Sequence, residues 1–171
     1  MSELALPKLN KFTISNRLKI ISKLKKIINP EHVLAENEEI KPYETDALSA
    51  YKQMPLAVVL PKNTKEVREI LKYCNKENIK VIPRGAGTGL SGGALPLRDA
   101  ILLVLGKFNK ILEIDFDNKC VVAQPGVTNL SITHAVQHKG FYYAPDPSSQ
   151  LAWSIGGNVA ENSGGVHSLK Y

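Results

Sequence analysis

Between Arg84 and Pro96 the chain places five glycines in nine residues: Gly85, Gly87, Gly89, Gly92 and Gly93. Neither a helix nor a strand accommodates that density, because glycine loses more backbone freedom on ordering than any other residue. The segment is therefore a loop. Glycine also reaches positive φ, so successive backbone N–H groups can converge on one point. Such a nest suits an anion, phosphate above all. Arg84 adds positive charge, and Thr88 and Ser91 add hydroxyl donors. Two readings follow, a tight structural loop or a phosphate cradle.

The spacing excludes the two commonest phosphate loops. A dinucleotide fingerprint runs G-x-G-x-x-G into a helix, with an acid about 20 residues on. Here the pattern is G-x-G-x-G, followed by Pro96 and a strand-like run. Asp99 comes too early and Glu113 too late for the acid. No G-K-[ST] triplet exists for a Walker loop.

A second segment, PDPSSQLAWSIGGNVAENSGG at 145–165, is similarly built. Ser154 is a candidate cap for a last short helix ending at Gly164 and Gly165. Gly156 and Gly157 then stand at its start, where free N–H groups and the dipole favour an anion. Asn158 and Asn162 are four apart and would share a face. Their amides both donate and accept, which suits the edge of a planar heterocycle. Ser148 and Ser149 add hydroxyls. A Gly-Asn surface loop is the competing reading. Two dipolar, glycine-lined segments match a diphosphate better than a monophosphate.

Around these segments strands and helices alternate. Residues 56–60 read as a buried strand, and Asn63 or Thr64 caps a helix with its stripe at Val67, Ile70, Leu71 and Cys74. Residues 79–82 are a second strand, and the length of the unit predicts parallel pairing. Strands follow at 101–105, 111–116 and 120–123, the last two as a hairpin. A helix over 128–138 ends at Gly140. The class is α+β, with strands of both senses.

The formal net charge of +6 comes from residues 1–30, which hold seven basic side chains and one acid; elsewhere the signs cancel. Leu18, Ile21, Leu24, Ile27 and Ile28 follow helical spacing, with lysines on the other face. That helix either docks a partner or a membrane surface, or packs on its own protein with a solvated basic face. The neutral body, without basic-aromatic interleaving, argues against nucleic acid. No apolar run approaches a membrane span, and no uninterrupted apolar region marks a signal peptide. Cys74 and Cys120 form no metal or redox motif and read as reduced thiols of a cytoplasmic protein. His134 and His138 are four apart but lack an evident third ligand, so no metal site is assigned. Trp153, Tyr142 and Tyr143 read as core or wall residues.

The two glycine segments, with PYETDALSAYKQMPLAVVLP (42–61) and GKFNKILEID (106–115), resemble the FAD-linked oxidases of the vanillyl-alcohol-oxidase type, which carry a PCMH-type FAD domain. The likeness covers most of residues 40–171 and is nearest to the glycolate-oxidase and D-lactate-dehydrogenase branch. It implies an FAD domain of two α+β subdomains with the cofactor between them. By motif match, Arg84, Gly85, Ala86, Gly87, Thr88, Gly89, Leu90 and Ser91 would bind the pyrophosphate. Pro147, Ser148, Ser149, Gly156, Gly157, Asn158, Glu161, Asn162, Gly164 and Gly165 would flank the pyrophosphate and flavin. Some relatives attach FAD through a histidine in the first loop; Thr88 stands at the matching position, so noncovalent FAD is expected. The implied activity is oxidation of a 2-hydroxy acid, glycolate or D-lactate, to the 2-oxo acid.

The resemblance also implies a longer protein. Residues 1–50 read as a basic helical extension, and 51–171 as the N-terminal part of the FAD domain, incomplete at its C-terminus: the first subdomain and the start of the second. The catalytic base, substrate-binding arginines and metal-liganding histidines would lie beyond Tyr171, so no catalytic residue is assigned. The chain is read as a truncated or split product. Its expected partners are the 2-hydroxy acid, the missing C-terminal half, and flavin-like and iron–sulfur subunits, with at most peripheral association at the inner face of the membrane. The alternative is a non-catalytic remnant or assembly module that docks a partner through its N-terminal helix.

Overall fold

The computed structural model describes residues 7–147 and 152–167. Its centre is a four-stranded sheet. The strands are β1 (Val33–Leu34), β2 (Ala57–Val59), β3 (Lys80–Arg84) and β4 (Ala100–Val104), in spatial order β1-β2-β4-β3. β1 is antiparallel to β2, while β2 and β3 both run parallel to β4. The parallel sense expected of β2 and β3 is present, but the two are not neighbours. β4 lies between them, because its all-apolar sequence AILLV needs a partner on both edges and cover on both faces.

Alternation along β2 and β4 divides the core between the two faces. Ala57, Val59, Ile101 and Leu103 face one side, with α2 (Arg17–Ile27) and α4 (Thr64–Lys76) packed over them. Val58, Leu102 and Val104 face the other, against Ile40 of the short helix α3 (Asn37–Ile40) and Met54. The basic helix α2 therefore buries Ile20, Ile21 and Leu24 in its own protein, and Leu18 stays 79% exposed. A preceding helix α1 (Lys11–Ser15), capped by Asn10, has no apolar periodicity and was not expected.

Local rules explain the helix ends. The Asn63 side chain accepts from the Glu66 N–H at 3.0 Å, and Glu66 accepts from the Lys62 N–H at 2.8 Å. Asn78, at φ 53°, turns the chain out of α4. Cys74 lies on the buried face of this helix, and burial pushes its thiol pKa up to about 11, so it stays protonated and packs as a small apolar group. Two polar ties fasten the N-terminal segment. Asp99 is fully buried and accepts from Lys80 Nζ at 2.8 Å and from the Asn10 N–H at 2.7 Å. Burial alone would raise the Asp99 pKa; these donors outweigh it, and the carboxyl lies below its usual range. Arg17 donates to the Leu56 and Ala35 carbonyls.

The second half is smaller. β5 (Ile111–Asp115) and β6 (Cys120–Ala123) form an antiparallel hairpin whose turn is held by Asp115 accepting from the Asn118 N–H at 2.9 Å. α5 (Asn129–Val136), capped by Thr128, passes into a 3-10 turn and stops at Gly140, at φ 78°. α6 (Ile155–Glu161) ends at Asn162, in the left-handed region, three residues before the expected stop at Gly165. Among the described residues no helix is long and apolar enough to cross a membrane.

Candidate functional site

The glycine loop leaves the carboxyl end of β3, and Leu105 follows the carboxyl end of β4. Ligands of parallel sheets characteristically settle at those ends. Here the loop and the start of α6 enclose a cavity of about 380 Å³. Both glycine segments thus meet in one place, although some 70 residues separate them in the chain.

Close approach explains the glycines better than flexibility does. A Cβ on Gly85 would stand 2.5 Å from Ser154 Oγ, and one on Gly89 would collide with the Glu161 carboxylate. A Cβ on Gly156 would stand 2.6 Å from Pro125 Cβ. The two walls could not close to this separation with larger residues. Gly87 is different: it has φ +76°, and the Arg84 guanidinium occupies the place its side chain would take.

That contact changes the role of Arg84. Its Nη1 donates to the Thr45 carbonyl at 2.7 Å, and its Cζ lies 5.8 Å from the centre of the Tyr43 ring. Burial lowers its pKa, while Asp46 and Tyr43 oppose that shift. The guanidinium is thus curled under the loop against residues 43–46. It shapes the loop from beneath and places a fixed positive charge there, rather than extending across the cavity.

Of the residues named from sequence, Arg84, Gly85, Ala86, Gly87, Thr88, Gly89, Gly156, Gly157 and Glu161 line the cavity. Leu90, 70% exposed, and Ser91 do not; they sit on the outer turn of the loop. Ser148 and Ser149 lie outside the described residues. Pro147 is buried away from the cavity, and Gly164 and Gly165 pack instead on Asp146: Gly164 O accepts from the Asp146 N–H at 3.2 Å. Asn158 is buried and turns inward, donating through Nδ2 to Asn129 Oδ1 at 2.7 Å. Asn162 is the left-handed residue that ends α6, so the two amides do not share a helical face.

The expected row of free N–H groups at α6 is also absent. The Ile155 N–H donates to Val127 O, Gly156 to Pro125 O and Gly157 to Ser154 O, all within 3.0 Å. Backbone bonding secures the helix start to the Pro125–Val127 turn and leaves little for a ligand.

Two side chains at this wall hold polar atoms without partners. Ser154 precedes α6 but makes no capping hydrogen bond. Its Oγ is buried without a partner, packed against Gly85 of the loop and beside Gly157 of its own helix. Trp153 Nε1 is likewise buried and unpartnered at the same wall. Buried donors normally have acceptors. An O–H and an indole N–H beside a glycine cradle suit a ligand rich in oxygen acceptors, such as a diphosphate. Sequence reasoning read Ser154 as a cap and Trp153 as a wall; the missed signal was a Ser with no Glu or Gln three residues later to complete a capping box. Among the described residues, no three or more His, Cys, Asp or Glu side chains converge as a metal site.

Comparison with known proteins fits this geometry. Residues 55–171 match the FAD binding domain family. The glycolate oxidase subunit GlcD of Escherichia coli (strain K12) is 53% identical over 156 residues, covering 91% of this chain and 31% of that protein. A D-lactate dehydrogenase of Anaerostipes hadrus is 38% identical over 153 residues, covering 89% of this chain and 32% of the relative. The chain therefore spans about a third of the length of these relatives. An alkyldihydroxyacetonephosphate synthase structure superposes with a TM-score of 0.81 at 21% identity, covering 99% of this chain and 32% of that one.

Proposed function

The chain belongs to the FAD binding domain family, and from that premise we propose that it holds the FAD of a 2-hydroxy-acid oxidoreductase of the glycolate-oxidase D-subunit kind. The observation that carries the reading is the cavity at the carboxyl ends of β3 and β4, with its glycine cradle and its two unpartnered buried donors. A diphosphate would take the Ser154 hydroxyl and the N–H groups of Gly85 to Gly89, above the fixed charge of Arg84. Trp153 would close one end. Asn158, Asn162, Gly164 and Gly165 would support the α6 wall, and Ser148 and Ser149 stay assigned to the cofactor by motif match alone. No histidine lies in the glycine loop, and Thr88 cannot form the covalent link, so the cofactor is held noncovalently.

Bound flavin would supply the two-electron acceptor for oxidising glycolate or D-lactate to the 2-oxo acid. The chain's own residues bind and orient it and exclude water from its diphosphate. The group that removes the substrate proton is not among them. We place it, with the carboxylate-binding residues, in the portion of the protein that the relatives have in addition. The expected assembly includes flavin-like and iron–sulfur subunits, on the cytoplasmic side and at most peripheral to the membrane. Residues 51–171 would serve as the cofactor-binding part and residues 1–50 as an extension that completes its core with α2 and β1 and backs Arg84 with Thr45.

The test is an FAD titration of the purified chain, followed by flavin fluorescence and visible absorbance. Stoichiometric binding is expected, weakened about tenfold by Ser154→Ala, the loss of one hydrogen bond to a charged group. The melting temperature should not change, since Ser154 caps nothing. A chain that takes up no flavin overturns the self-sufficient site. Supplying the remaining two-thirds of the E. coli relative in trans tests the activity: no dye reduction with either hydroxy acid counts against it.

A further inference from the structure

A second concavity lies where α1 and α2 meet α4. It is larger than the glycine-lined cavity, at about 640 Å³. Lys19, Lys23 and Lys26 line one wall from α2, and Lys72 and Lys76 line the other from α4. All five are exposed, and none belongs to an ion pair among the described residues. Phe12, 72% exposed, stands in the same cleft, and half-buried Ile27 and Tyr73 line it too.

Five unpaired cations around one concave surface repel each other across it, at a cost that an anionic occupant removes. The arrangement also follows from the fold. The apolar stripe of α2 is spent on the core, so its lysine face is turned outward and α4 brings two more lysines opposite.

We propose that this cleft is a docking groove for an acidic segment of a partner polypeptide. Two observations select a polypeptide over an anionic membrane. A helix lying on a bilayer buries its apolar face there, whereas Ile20, Ile21 and Leu24 of α2 are already buried in the protein and only Leu18 of its apolar stripe is left exposed. Moreover, Glu69 and Glu77 line the same cleft as the lysines. Acids in the wall penalise a uniformly anionic surface but match a polypeptide with a mixed charge pattern, which also gives register. The exposed Phe12 ring and its apolar neighbours offer a seat for one nonpolar side chain of that segment. This reading is independent of what occupies the glycine-lined cavity.

The experiment uses the whole chain and a short fluorescein-labelled, net-acidic peptide of alternating Glu and Leu with one Lys, followed by anisotropy at low and physiological salt. A Gln-for-Glu peptide and phosphatidylglycerol vesicles are run in parallel. The groove variant is the triple Lys19→Glu, Lys23→Glu, Lys72→Glu. The control triple, Lys62→Glu, Lys110→Glu, Lys139→Glu, makes the same change in net charge outside the cleft. Both sets are exposed, and circular dichroism verifies the fold. The groove triple should weaken the Glu peptide about tenfold or more at low salt, and the control by less than about twofold. The Gln peptide should bind poorly to every form. Equal weakening by the two triples overturns the proposal, because net charge alone would then explain the binding. Vesicle binding that exceeds peptide binding and is lost in the groove triple overturns it in favour of a membrane. Failure of the unaltered chain to bind the Glu peptide overturns it as well.

Discussion

The two halves of this molecule solve the burial problem differently. In the first, strands β2 and β4 are almost completely covered, with Ala57, Val58, Val59, Ile101 and Leu102 at 0% exposure and helices on both faces. In the second, the hairpin β5–β6 stands alone as a two-stranded sheet, a unit of marginal stability by itself. Leu112 is 61% and Val122 47% exposed. An apolar cleft of about 570 Å³ opens between the hairpin, α5 and the Phe141–Tyr143 stretch. The glycine-lined cavity lies at the seam, with its loop rooted in the well-buried half and its second wall in the sparsely packed one. The cofactor loop thus has a rigid base, while the α6 wall depends on backbone bonds to the Pro125–Val127 turn.

The largest expected effect tests the buried half. Leu102→Ala should lose about 2–5 kcal/mol in urea denaturation, the cost of a cavity in a core that cannot collapse. A loss well below that range would mean the first half is less tightly packed than its burial implies.

Next in size is the tie between Lys80 and Asp99. Lys80→Gln strands a fully buried carboxylate, at about 1–3 kcal/mol, the lower part of that range being favoured by the partial exposure of Lys80. The pH dependence gives the sign. The Asp99 carboxyl titrates below its usual 3.8 in the folded protein. Its contribution is therefore present above that value and is lost as pH falls through the lower, folded-state pKa. The stability gap between the unaltered chain and Lys80→Gln should narrow on acidification below about pH 4. A gap that does not change with pH would show that Lys80 acts through packing alone.

At the seam, Gly87→Ala should cost about 1–2 kcal/mol, because a Cβ is strained at φ +76° and meets the Arg84 guanidinium. It should also abolish flavin uptake. Gly106→Ala has no atom within 4 Å of the new Cβ, no positive φ and no place in the cavity lining, and should change neither. Equal effects at the two glycines would remove the distinction between shaped and merely open positions. The smallest effect belongs to the hairpin: Val122→Ala should stay within about 0.5 kcal/mol, as for most exposed sites. A larger loss would mean that β6 is covered in solution.

Much of the first half was legible in the sequence. The apolar runs at 56–60 and 101–105 could only be buried strands, and Asn63 announced its helix. The neighbour relation was not legible: that β4 enters between β2 and β3 depends on contacts across the sheet, which no local pattern records. In the site, glycine density identified the loop, since it expresses a backbone requirement. The orientation of Arg84, the inward turn of Asn158 and the released hydroxyl of Ser154 were not readable, because each is set by a partner distant in sequence: Thr45, Asn129 and Gly85.

By itself, then, the sequence determined the α+β alternation, the glycine loop and the confinement of excess charge to the first thirty residues. Those are properties of local backbone preference and of composition. Only the tertiary structure decided that both glycine segments share one cavity, that Arg84 braces the loop from beneath, and that the lysines of α2 face those of α4. These depend on which surfaces the core consumes, and burial is settled by the whole chain at once.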